Sequence, residues 1–261
     1  MIVLIHTSKT MRDAPRGRPA PGTPELIGMS RRLAGYLATL SPARLAQVMS
    51  LSPALADRTH AELARWTDAP ARQAPAVDCF VGDIYSGLRA GEFTAADRGY
   101  AQRHLRILSG LYGILRPYDG IRPYRLELGY RLPGPEITSL YDFWGDAVAR
   151  LLPGTGPIVN LAAAEYGRVV TPYLDAARLV APRFLTVDAA TGEPRFVVVH
   201  AKIARGAFAR WLVTARVAAP ARLAEFADLG YRYDAGASAP RQPVFVCTEF
   251  GGKGLSVRRA G

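Results

Sequence analysis

Only three of the chain's 33 basic residues are lysines, Lys9, Lys202 and Lys253; the rest are arginines. Lysine is a compact point charge whose pKa moves on burial, whereas arginine stays charged. A lysine kept in so arginine-biased a chain is therefore a candidate for proton transfer or nucleophilic attack. Lys9 lies in the polar loop His6-Thr7-Ser8-Lys9-Thr10, directly after the apolar run Ile2-Val3-Leu4-Ile5. Lys202 follows the β-forming run over 196–200. Both read as the carboxyl ends of strands, where α/β folds open ligand crevices. The expectation is one shared cleft for a phosphate, sulfate or carboxylate. Lys253, between glycines, reads as a surface charge.

A second pattern is built on glycine. Leu108-Ser109-Gly110-Leu111-Tyr112-Gly113 sets two glycines three apart among apolar residues, and Arg103, Arg106, Arg116, Arg122 and Arg125 surround it. This spacing suits a tight turn between two helical or near-helical segments. Such a turn offers backbone N–H groups to a phosphate without reading bases; the same residues would also serve as a core turn with solvated arginines. Familiar catalytic signatures are missing, including the P-loop, the Rossmann glycine pattern and the nucleophile elbow. His6, His60, His104 and His200 are scattered, so neither a metal nor a cofactor is expected.

The formal charge of +11 favours polyanions, whether nucleic acid, anionic membrane or phosphorylated small molecules. With 49% hydrophobic residues over 261 positions, general disorder is excluded and a core is affordable. No apolar run approaches the roughly 20 residues that span a bilayer. The apolar start is too short, and lacks a preceding basic residue, for a secretory signal. Cys79 and Cys247 alone make no disulfide framework. A cytoplasmic protein is expected, acting as a monomer without a membrane partner.

These groups need elements to position them. Residues 2–5 read as a buried strand, and 12–24, with four prolines, as a surface loop. Apolar periodicity predicts helices over 25–40, from 42 behind Ser41, over 53–66, 94–108, 141–152 and 202–217, with short strands at 158–161 and 196–200. Short strands between helices favour α/β, with α+β as the alternative. The expected layout is a single compact domain over 1–246 and a basic, glycine-containing tail over 247–261.

Several blocks resemble the YaaA family, named for peroxide-stress resistance. They are Val81-Gly82-Asp83-Ile84-Tyr85-Ser86-Gly87-Leu88, the run 101–117, Pro123-Tyr124-Arg125-Leu126-Glu127-Leu128-Gly129, Leu140-Tyr141-Asp142-Phe143-Trp144-Gly145-Asp146, Asn160-Leu161-Ala162, Glu165-Tyr166 and Ala201-Lys202-Ile203-Ala204-Arg205-Gly206. The resemblance runs from residue 1 to about 246. It implies an unusual α/β fold with a helix-hairpin-helix element and a positively charged cleft. It further implies a cytoplasmic protein that binds duplex or distorted DNA and limits damage when peroxide and iron coincide. Ser109, Gly110, Tyr112, Gly113, Arg116, Arg125, Arg205 and Asn160 would then hold the DNA or another anion. Two positions depart from the family pattern. His6-Thr7-Ser8 precedes the first lysine where a proline and a small residue are usual, and Ala163-Ala164 replace a serine followed by Asn or Asp.

The same blocks hold groups that a DNA clamp does not need: Asp83, Tyr85, Tyr124, Glu127, Asp146, Asn160, Glu165 and Tyr166, beside Lys9, Lys202 and Arg205. Carboxylates weaken phosphate binding unless they orient a cation or move a proton. Lys9, Lys202, Glu165, Tyr166 and Asp83 are accordingly the catalytic candidates of an enzyme acting on a nucleotide-like or other anionic small molecule, an activity of the kind recruited to specialised metabolite biosynthesis. The alternative for these residues is a buried ion-pair network that holds the fold together.

Overall fold

The computed structural model describes residues 1–12, 20–67, 69, 73–134 and 136–256; positions 13–19 of the expected proline-rich loop lie outside the described residues. Every residue of the strand Ile2–His6 is buried. A run of Ile, Val and Leu that is apolar on both faces suits the middle of a sheet covered on both sides. The strand pairs in parallel with Leu105–Ser109 on one side and Ile158–Asn160 on the other. Leu179–Val180 adds a further parallel strand, and Gly113–Leu115 closes the opposite edge in antiparallel pairing. A second, four-stranded sheet runs Pro194–Arg195, Arg183–Val187, Gln242–Cys247, Tyr231–Ala239. Phe184, Phe226 and Phe245 set their rings 4.8–5.5 Å from that of Phe208 on the helix Val198–Thr214, so aromatic burial ties this helix to the second sheet. The architecture is the mixed α/β one expected.

The same helix crosses the short helix Asp83–Leu88 at two glycines. A Cβ on Gly87 would land on the Ile203 carbonyl oxygen, and one on Gly206 on that of Ile84. The two backbones therefore touch, which sets Asp83 near Lys202. Local rules fix other boundaries. Ser41 accepts the Arg44 N–H ahead of the helix Pro42–Met49, and Thr94 and Asp97 form a reciprocal capping box on Ala95–His104.

Three expectations are corrected. The glycine-rich turn is not a helix-hairpin-helix: the helix ends at His104, and Leu105–Ser109 and Gly113–Leu115 form a β-hairpin with Ile107 opposite Leu115 and Ser109 opposite Gly113. Leu105, Ile107, Leu108, Ile114 and Leu115 are all buried, so completing the sheet outweighs helical periodicity. The predicted strand at 196–200 does not form: the helix Val198–Thr214 takes its last three residues, whose β-branched valines yield to the alanine-rich residues that follow. The helix expected over 141–152 breaks at Gly145, φ +49°, into Leu140–Trp144 and Ala147–Arg150.

Ser109, Gly110, Tyr112 and Gly113 are buried in that hairpin, facing protein rather than a phosphate. The Trp144 indole N–H donates to the Gly110 carbonyl at 3.0 Å, and Ser109 Oγ accepts the Tyr112 N–H at 2.9 Å. Gly113 sits at φ +68°, and a Cβ there would meet Leu26 and Trp144 at 3.0 Å. Gly113→Val is therefore expected to cost about 2–3 kcal/mol of folding stability, read by urea unfolding. A variant of unchanged stability that has lost only ligand binding would contradict this.

Cys79 and Cys247 are buried free thiols. Phe250, beyond the last strand, is buried as well. No helix among the described residues is long and apolar enough to cross a membrane.

Candidate functional site

The strand Ile2–His6 delivers His6, Thr7, Ser8 and Lys9 to the carboxyl edge of the parallel sheet. Across a cavity of about 450 Å³ they face Asp83 and Tyr85 from the helix Asp83–Leu88, Glu165 and Tyr166 from the short helix Ala164–Gly167, Glu127, and Lys202 from the helix Val198–Thr214. The volume is that of a small-molecule site. Lys9 and Lys202, 193 residues apart in sequence, line this one cavity.

Its wall carries a chain of polar contacts. Thr7 Oγ1 donates to Tyr166 Oη at 3.1 Å, and Tyr166 Oη donates to Glu127 Oε1 at 2.9 Å. Lys9 Nζ stands 3.6 Å from Glu127 Oε2. Burial, reinforced by the Glu127 charge, raises the Tyr166 phenol above its usual range, so the phenol keeps its proton and serves as donor. Lys9 is open to solvent while Glu127 is nearly covered. The arrangement sets a largely covered carboxylate beside an exposed ammonium, a pairing of the kind that general acid–base chemistry uses. Glu165 is held by Gly129, whose N–H donates to Oε1 at 2.8 Å, and Ser256 Oγ donates to Asp83 Oδ1 at 3.2 Å.

Behind the cavity His6 stacks on Tyr166 at 4.8 Å and takes the Ala163 N–H on Nδ1 at 3.2 Å, which leaves its proton on Nε2. Burial first, then the Arg205 and Lys202 charges, pull its pKa down to about 3. His6 is thus a neutral wall group. Both positions singled out as departures from the family pattern meet in this single His6–Ala163 bond. Arg205 is half-buried, and desolvation lowers its pKa; its charge is felt at the cavity wall through His6.

The remaining candidates divide. Arg125 reaches the rim, its Nη1 donating to the Lys9 carbonyl at 3.4 Å. Asn160 ends its strand with Oδ1 accepting the Ala162 N–H at 3.0 Å and does not line the cavity. Arg116 pairs with Glu25, away from the cleft. Thr7 escaped selection because a threonine in a polar loop carries no chemical mark until Tyr166 is placed against it. Glu127, noted within its block, gains its role only through contacts from two other elements. Among the described residues no group of three or more His, Cys, Asp and Glu side chains could hold a metal ion.

Comparison with known proteins gives the family. The family model described as "Peroxide stress protein YaaA" matches residues 1–237. A UPF0246 protein of Salinispora tropica is 65% identical over 99% of this chain and 98% of its own length. UPF0246 proteins of Cupriavidus pinatubonensis and Ruegeria pomeroyi are 40% and 41% identical, each over 94% of this chain and 98% of their own. With the match running through all the segments that build the cleft, the chain belongs to the YaaA peroxide stress protein family.

Proposed function

We propose that the protein acts in the cytoplasmic response to peroxide by holding a phosphate-bearing ligand, foremost the backbone of DNA, at the Lys9–Lys202 cleft. The observation that carries this reading is the convergence of Lys9 and Lys202, two of the chain's three lysines, on one cavity, in a protein of charge +11. Arg125 at the rim and Arg205, whose charge is felt at His6, extend the same potential. Contacts of this kind are electrostatic and indifferent to base sequence. With about four cations engaged, log K for duplex or branched DNA should fall against log salt with a slope of roughly −3 to −4. Fluorescence anisotropy over a salt series reads it; a flat response, or preference for one duplex sequence, would overturn the reading.

A second reading has its own observation. The Thr7–Tyr166–Glu127–Lys9 chain and the carboxylates of Asp83 and Glu165 exceed what phosphate binding requires, and suit an enzyme acting on an anionic small molecule with Glu127 as base. Under this reading a thermal-shift screen of nucleotides and phosphorylated metabolites yields a ligand whose turnover is abolished by Lys9→Arg. The DNA reading expects that substitution to be nearly silent, because arginine holds phosphate at least as well.

A further inference from the structure

A second cavity, of about 350 Å³, opens on the far side of the Gly129–Glu165 contact. Gly129 lines it and donates its N–H to Glu165, which lines the lysine cleft, so one hydrogen-bonded wall separates the two spaces. Its chemistry differs from that of its neighbour. Tyr130, Arg131, Ser139, Tyr141, Asp142 and Arg168 face it. Arg168 is held over the Tyr141 ring, 4.6 Å from the centroid, and Tyr141 is itself anchored by donating to the Glu165 carbonyl at 3.0 Å. Arg131 and Arg168 are exposed, and neither forms an ion pair among the described residues.

We propose that this cavity is a nucleotide subsite, taking a nucleoside 5′-monophosphate. Unpaired guanidinium forks match phosphate oxygens two at a time, which assigns the phosphate to Arg131 and Arg168. A guanidinium braced on a tyrosine is also a platform for a planar ring, the contact by which proteins hold unstacked bases. Asp142 decides between a bare anion and a larger ligand. Its carboxylate repels a lone phosphate, but accepts from the sugar hydroxyls or the exocyclic amino group that a nucleotide brings. Two arginines, one carboxylate and an aromatic shelf thus select for phosphate, donor groups and a ring in one molecule. The subsite stands whether or not the lysine cleft binds DNA, because it shares no cation with it.

Calorimetric titration of the full chain with adenosine 5′-monophosphate and with inorganic phosphate tests the proposal. The nucleotide should bind at least ten-fold more tightly than phosphate. Arg168→Lys, an exposed change that keeps the charge and removes the planar fork, should weaken the nucleotide at least five-fold, and by more than Lys202→Ala does. Equal affinity for nucleotide and phosphate would reduce the cavity to a plain anion site and overturn the proposal. A silent Arg168→Lys with loss of binding in Lys202→Ala would place the nucleotide in the neighbouring cleft, overturning this subsite while leaving the cleft's own reading intact. No measurable nucleotide binding would also overturn it.

Discussion

Gly206→Val should lose about 4 kcal/mol of folding stability, above the usual 1–3 kcal/mol for an overpacked core. The added side chain has only backbone to displace: the Ile84 carbonyl and the Leu88 N–H face Gly206 directly, and Gly87 is opposed by Ile203 in the same way. Neither helix can yield without parting from the other. Separation would also carry Asp83 away from Lys202, so whatever fraction stays folded should have lost the cleft. Chemical unfolding with circular dichroism reads the stability; a variant within about 1 kcal/mol of the parent would show that the crossing is looser than described.

The second large effect is a pH dependence. His6 keeps a folded pKa near 3 against an ordinary 6.5 because burial, Arg205 and Lys202 all oppose its charging. Between those values the unfolded chain binds a proton that the folded chain refuses, so stability falls as pH falls. The slope from this group is about 1.4 kcal/mol per pH unit within the window. From pH 6.5 to 4.5 the loss due to His6 should be roughly 2–3 kcal/mol. His6→Gln retains an acceptor for the Ala163 N–H but cannot titrate, so its stability should decline less over that range by the same amount. Other groups titrate in both proteins and cancel in the difference. Parallel slopes for parent and variant would mean that His6 charges freely in the folded state.

Much of the architecture was legible because local chemistry and tertiary need coincide. The buried strand Ile2–His6, the caps at Ser41 and Thr94 and the placement of Lys9 follow from side chains acting on their own neighbourhood. The glycine turn was misread because Gly110 and Gly113 signal a tight reversal without stating what it joins; the strand before it is decided by pairing with Ile2–His6, far away in sequence, and the strand after it pairs back on that one. Lys202 reached the expected cleft from a helix rather than from a strand end, since the exposed and half-buried valines before it are drawn into the helix that the alanine-rich residues after them favour. The Tyr166–Glu127 contact joins residues 39 apart and the Thr7–Tyr166 contact residues 159 apart, and no spacing within one element announces either.

The central claim is that Lys9 and Lys202 hold one ligand together. DNA affinity measured over a salt series for Lys9→Ala, Lys202→Ala and the double variant tests it most directly. Each single change should weaken binding about five- to ten-fold and reduce the salt slope by about one, and the double variant should depart from additivity, as neighbouring groups on one ligand do. Affinity and slope unchanged in both single variants would contradict the account and return the two lysines to the solvated surface.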